Sequence, residues 1–213
     1  MINMDINYAV YSFIALFIIV DPIANIPIFI SILENFGAKN RKSMVQKAVV
    51  IAAIVLIIFT LLGNYIFRFL GIEMYSFRIA GGILLFIISL EMLFGRRTKT
   101  KSSAEEEDEA KARDDVAITP MAVPLLTGPG AITTGIVLFN SAKTLANEII
   151  LIIDILLVFL ISYVILTKSD YVFKIMGQTG TRVVVRIMGL LLSAIAVQFV
   201  ITGIEEAVKQ VRL

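Results

Sequence analysis

The sequence predicts an all-α integral membrane protein with six transmembrane helices. These form two inverted three-helix repeats, with helices one and four broken near the midplane. Three observations predict this: the hydropathy, the alternation of Lys and Arg between successive connections, and a set of landmarks written twice along the chain. Of 213 residues, 58% are hydrophobic and 17% charged, and the mean hydropathy is +0.91. Globular domains carry about 25% charged residues, so a soluble enzyme is excluded. With no Cys and no His, disulfides, thiol redox chemistry, iron–sulfur clusters and the usual zinc and haem ligands are absent. No cofactor or metal is therefore expected, and a proton relay has to use carboxylates. A formal charge of +2 gives no reason to expect a nucleic-acid partner.

A helix needs roughly 20 apolar residues to cross the hydrocarbon, and apolar runs fall near residues 8–33, 45–67, 74–94, 118–139, 148–167 and 184–204. The first run is expected to stay in the mature protein: no Lys or Arg precedes Lys39, and no short apolar core ends in a small-residue cleavage site. The connections after helices one, three and five hold Lys39, Arg41, Lys42, Lys47, Arg96, Arg97, Lys99, Lys101, Lys111, Arg113, Lys168, Lys174, Arg182 and Arg186, fourteen of the 19 Lys and Arg. The opposite side has Arg68, Arg78, Lys143, Lys209 and Arg212. The positive-inside rule then places the three basic connections in the cytoplasm and both termini outside, in a plasma-membrane protein. In the absence of Trp, Tyr8, Tyr65, Tyr75 and Tyr171 are the expected interfacial aromatics. Residues 1–95 form the first repeat, 96–117 a charged cytoplasmic linker too polar to fold alone, and 118–213 the second repeat.

The repeat rests on three landmarks in one order. Tyr65-Ile66-Phe67-Arg68-Phe69-Leu70-Gly71 aligns with Tyr171-Val172-Phe173-Lys174-Ile175-Met176-Gly177, Arg78-Ile79-Ala80-Gly81 with Arg186-Ile187-Met188-Gly189, and Pro22 with Pro129. The offsets are nearly constant. Three spans per repeat is an odd number, so the second copy enters the membrane from the other side. Inverted repeats recur in secondary transporters, with the substrate near the midplane where the halves meet.

Helix one is interrupted by Asp21-Pro22-Ile23-Ala24-Asn25-Ile26-Pro27, and helix four by Thr127-Gly128-Pro129-Gly130, preceded by Pro120 and Pro124. Such backbone is tolerated at membrane depth only where protein or a cavity surrounds it. Each proline suits the first position of a new half-helix, with Asp21 and Gly128 as N-caps. The topology points both half-helix N-termini at the centre, where their N–H groups and partial positive charge attract an anion. Only the first break carries an acid, and that asymmetry fits a zwitterion. A substrate carboxylate is expected on the N–H groups around Gly128, Pro129, Gly130 and Ala131, supported by Thr127, Thr133 and Thr134. The ammonium is expected beside Asp21 and Asn25, with Pro22 and Pro27 shaping that wall. A carboxylate at the bilayer centre costs at least about 2.5 kcal/mol, which argues against a purely decorative Asp21. Its other reading is a helix cap that satisfies broken backbone.

Elsewhere, Glu91 reads as a snorkelling carboxylate near Arg96 and Arg97, with proton coupling as the alternative. Asp154 reads as interfacial or as a helix-packing partner. Arg78 and Arg186 are expected to anchor helix starts at opposite interfaces, and Gly81, Gly82 and Gly189 to permit close packing. Gln198 is expected to be a substrate contact or interhelical glue.

The motifs from Asp21 to Phe29, from Ile118 to Thr134 and from Arg78 to Leu84 resemble the signatures of the MarC family of six-span membrane proteins, over essentially the whole chain. Ala24 stands where that family often has Gly, and Thr127 where Ala is common. The family includes the SnatA-type transporters, so the resemblance implies uptake of small neutral amino acids such as glycine and alanine, coupled to a cation gradient, with protons the expected ion; Na⁺ held by exposed backbone carbonyls is the other coupling ion weighed. Asp21 is the first coupling candidate and Glu91 the second. The other classes weighed are an exporter of another small solute and a channel. A channel would need a continuous polar lining, which six such spans offer only as a homo-oligomer. An intramembrane protease needs a paired-Asp, Ser/His or metal constellation that the chain lacks, so the protein is not expected to be an enzyme.

Overall fold

A computed structural model describes residues 5–33, 36–95 and 117–211. Helices run in the order α1 (Ile6–Val20), α2 (Ile26–Leu33), α3 (Ala38–Leu70), α4 (Met74–Phe94), α5 (Ala117–Leu126), α6 (Pro129–Ser141), α7 (Leu145–Thr167) and α8 (Ser169–Val211). Helix α5 is irregular, because Thr119 and Val123 take extended backbone angles inside it. Each directly precedes a proline, whose ring disfavours the helical region for the residue before it. Helix α8 is interrupted at Gly177, which has φ 62°.

Four segments are long and apolar enough to cross a membrane: Lys39–Leu70, Met74–Phe94, Leu145–Thr167 and Ser169–Gln210. The pair α5 and α6, bent by 55°, makes a fifth when taken together. The run expected over 8–33 is divided into α1, with 15 residues, and α2, with 8. Neither half alone reaches the length a crossing helix needs. The charged linker lies, but for Ala117, outside the described residues.

Helix α4 lies along α8, α3 packs on α7, α5 and α6, and α1 packs on α6 and α7. Small residues bring α4 and α8 together. A Cβ on Gly82 would lie 2.8 Å from the Ala196 carbonyl, and one on Gly189 2.8 Å from the Met92 Cβ. Gly81 instead faces Thr133 of α6. All three glycines thus do the close-packing work expected of them. The core is drawn from Leu16 and Ile19 of α1, Phe29 of α2, Leu125 and Leu126 of α5 and Phe159 of α7, while Ile54, Ile58, Leu157, Leu160, Leu190 and Leu191 stay exposed. Apolar outer faces on long helices are what lipid contact requires.

Polar contacts tie helix ends together. Arg41, at the start of α3, pairs with Asp170, at the start of α8, at 3.5 Å. Arg78 of α4 pairs with Glu206 of α8 at 3.1 Å and donates to Ser141 Oγ at 3.2 Å and Asn140 Oδ1 at 3.4 Å. Arg78 is therefore a buried tie among α4, α6 and α8 rather than a side chain stretched to an interface. Arg186 is exposed inside α8, past the Gly177 break.

Gly71 and Gly177, which end the aligned Tyr65 and Tyr171 motifs, both adopt positive φ, 67° and 62°. Gly71 closes α3, its N–H bonding the Arg68 carbonyl.

Candidate functional site

Helix α1 stops at Asp21, which takes a left-handed conformation, φ 49° and ψ 62°, with its N–H on the Phe17 carbonyl. That position usually belongs to Gly; Asp and Asn tolerate it better than other side chains because they bond locally. Here the Asp21 carboxylate accepts the Ala24 N–H at 3.1 Å, and the Asp21 carbonyl accepts the Asn25 N–H at 3.3 Å. Asp21 thus ends α1 and caps the turn that follows, with α2 itself starting at Ile26. Pro22 is buried within that turn, and Pro27 is exposed on the first turn of α2.

The second break is built differently. Gly128 is the N-cap of α6 with no side-chain cap bond, and Pro129 follows at the first helical position, where its missing N–H costs nothing. The Thr127 N–H bonds the Ala122 carbonyl at 2.9 Å, and the first bond within α6 runs from the Ile132 N–H to the Gly128 carbonyl. The N–H groups of Gly130 and Ala131 therefore stand at the open end of α6. Gly130 is seated against Ile19 of α1 and Ile88 of α4.

Asn25 joins the two breaks. Its side-chain amide donates to the Val20 carbonyl at 3.1 Å, where α1 ends, and to the Leu125 carbonyl at 3.5 Å, where α5 ends. Asp21 and Asn25 are each 1% exposed and Thr127 is fully buried, so this junction is closed to solvent in the present conformation. Two of the three threonine hydroxyls already donate to backbone: Thr127 to the Ala52 carbonyl of α3 at 2.9 Å and Thr134 to the Gly130 carbonyl at 2.8 Å. Thr133 presses on Gly81, and Ala131 is buried, whereas Pro129 is exposed. Glu91 lies about one turn beyond Ile88, half-buried on α4; Arg96 and Arg97 lie outside the described residues.

Sequence reasoning left one pairing unassigned. Asp154 of α7, 6% exposed, stands 2.5 Å from the Oγ of Ser12 on α1, which makes it a helix-packing residue. The nearby Tyr8 hydroxyl donates to the Leu138 carbonyl of α6 at 2.9 Å. Ser12 is a small hydroxyl in an apolar run, a signal that sequence alone gives no partner. Gln198 is exposed and bonds Thr202 on its own helix at 3.2 Å, so among the described residues it glues no helices together and sits outside the junction.

Long helices with apolar outer faces, packed around a buried polar junction where α1 and α5 end, define a multi-pass integral membrane protein. A family model described as MarC family integral membrane protein matches residues 6–208, and the chain belongs to that family. A UPF0056 membrane protein of Methanocaldococcus jannaschii is 41% identical over 202 residues, covering 94% of this chain and 89% of its own. One from Aquifex aeolicus is 38% identical over 200 residues, 94% of each chain. The UPF0056 membrane protein YhcE of Escherichia coli is 35% identical over 207 residues, 96% of each. No solved structure matches.

Proposed function

We propose that this protein is a secondary active transporter of small neutral amino acids of the glycine and alanine class, driven by a proton or Na⁺ gradient and working by alternating access. In this reading α1 and α2 act as one interrupted span, the chain crosses six times, and residues 1–95 and 118–213 are inverted repeats. The protein is a carrier rather than an enzyme, in the plasma membrane with both termini outside. The observation that carries the reading is the closed junction at Asn25, which holds the two helix breaks together beside the buried Asp21 carboxylate.

The chemistry follows from the difference between the breaks. The α6 end offers backbone donors and the positive end of a helix dipole, which favour a carboxylate. The first break offers a carboxylate and an amide oxygen, which favour an ammonium. The surroundings are small, with Ala24, Gly130 and Ala131 nearest the breaks, and Gly130 has no room for a methyl group before Ile19 and Ile88. A compact, neutral zwitterion fits these constraints. Loading requires the junction to open, and the hydroxyls of Thr127 and Thr134 become donors to substrate only by leaving their carbonyls.

The test is uptake of labelled glycine and alanine into proteoliposomes under an imposed pH or Na⁺ gradient, for the wild type and Asp21→Asn. Saturable, gradient-driven uptake that the substitution abolishes supports the reading. Absence of flux from folded wild-type protein refutes the amino-acid assignment.

A further inference from the structure

We propose that Asp154 is a proton-binding site and that it carries its proton in the conformation described here. The argument is a count of hydrogens. Ser12 Oγ lies 2.7 Å from the Tyr8 carbonyl, 3.2 Å from the Ala9 carbonyl and 2.5 Å from Asp154 Oδ2. A serine hydroxyl brings one proton. Bonding back to the preceding turn is its ordinary habit inside a helix, and the Tyr8 carbonyl takes that proton. The short oxygen–oxygen contact with Asp154 then needs a proton from the acid, whose O–H donates into a lone pair of Ser12 Oγ.

The surroundings demand the same neutral form. Asp154 is the tenth residue of α7, about 14 Å from its start, and among the described residues no Lys or Arg pairs with it. Helix α3 carries no titratable side chain over 48–64, and α2, α5 and α6 carry none. From α8, the groups nearest α7 in sequence are Asp170, Tyr171 and Lys174, beyond the far end of α7 from Asp154. Helix α1 presents Tyr8, whose hydroxyl donates to the Leu138 carbonyl, and Tyr11; its acids, Asp5 and Asp21, stand at its two ends. Glu148 is on α7 itself. An ionised Asp154 would be a buried charge with no counter-charge among the described residues, which membrane interiors strongly disfavour.

The location gives the proton something to act on. Ser12 lies nine residues before Asp21, the C-cap of α1, about 14 Å along the helix, so the helix that reads the protonation of Asp154 is the one that ends at the junction. Once water takes the proton from Asp154 as its O–H bond breaks, the carboxylate has to draw the Ser12 proton away from Tyr8, and the α1–α7 contact is remade. That this proton is the coupled one rests on the transport reading above.

Two measurements on the full chain in liposomes decide the matter. Infrared spectra of the wild type at neutral pH should contain a protonated-carboxyl stretching band that Asp154→Asn removes. Ser12→Ala, which keeps the acid and deletes its acceptor, should shift the band's frequency. No band difference between wild type and Asp154→Asn overturns the proposal, whatever the substrate. In transport, Asp154→Asn should keep exchange of labelled for unlabelled alanine and lose accumulation driven by a pH gradient; retained accumulation overturns the coupling role. If the wild type carries neither glycine nor alanine, the transport reading fails and the infrared result still decides the proton site.

Discussion

Asn25→Ala tests the junction most directly. The substitution deletes a buried amide that donates to the Val20 and Leu125 carbonyls at 3.1 and 3.5 Å. Val20 and Leu125 are fully buried, so water does not replace the lost donors. Leaving a buried acceptor unsatisfied costs about 1–3 kcal/mol. The longer bond belongs at or below the low end, and hydrogen bonds inside membrane proteins average nearer 0.6 kcal/mol. The expected loss is therefore about 1–3 kcal/mol, read as a shift in the denaturant midpoint in mixed micelles with the slope unchanged. Asn25→Asp keeps the size of the side chain and sets a carboxylate against two carbonyl oxygens, so at neutral pH it should cost more than Ala. A loss below about 0.5 kcal/mol for Ala, the level of an ordinary surface change, or an Asp variant milder than Ala, would refute the claim that this amide ties the breaks together.

The other expectations are more local. Gly81→Ala places a methyl on the Thr133 Cγ2 and should destabilise by about 1–3 kcal/mol through overpacking; adding Thr133→Ser, which deletes that methyl, should restore most of the loss in the same unfolding assay. Thr127→Val keeps shape while removing the bond to the Ala52 carbonyl, for a loss of about 1 kcal/mol. Arg78→Gln should cost about 1–3 kcal/mol through its buried polar contacts, yet a double-mutant cycle with Glu206→Gln should return a coupling of about 1 kcal/mol or less, since Glu206 is 40% exposed.

What was legible in the sequence depended on chain-local chemistry. Proline and glycine disrupt a helix from their own backbone, so the breaks at 21–25 and 127–128 fall where Pro22, Pro124 and Pro129 put them. Gly128 was readable as an N-cap for the same reason. The expected half-helix starting at Pro22 with Asp21 as its N-cap is not formed: Asp21 is the left-handed C-cap of α1 and α2 starts only at Ile26, which nothing nearby in the sequence announces. Partners across helices were not legible. Arg78 sits where an interfacial anchor would, and only the packing of α4 against α8 turns it inward to Glu206, 128 residues away. Ser12 and Asp154 were visible as polar residues in apolar runs, but their pairing is a product of helix rotation, which single-sequence periodicity fixes poorly when nearly every face is apolar.

In the repeat reading the two breaks occupy equivalent places; they are closed by unlike means, and that difference carries the functional argument. At the first, side chains do the work: the Asp21 carboxylate holds the Ala24 N–H and the Asn25 amide holds two carbonyls. At the second, no side chain caps α6. A strictly symmetric pair would offer the same chemistry twice and suit a symmetric ion; this pair offers acid on one side and backbone donors on the other. The link between them is the 3.5 Å bond from Asn25 to Leu125, long for a hydrogen bond, while the bond within the first break is 3.1 Å. In the transport reading, rocking one half against the other breaks the longer bond and spares the shorter one, so each break moves as a preformed unit. A substrate bridging the two halves would then replace the Asn25–Leu125 contact rather than compete with the bonds that hold each break in shape.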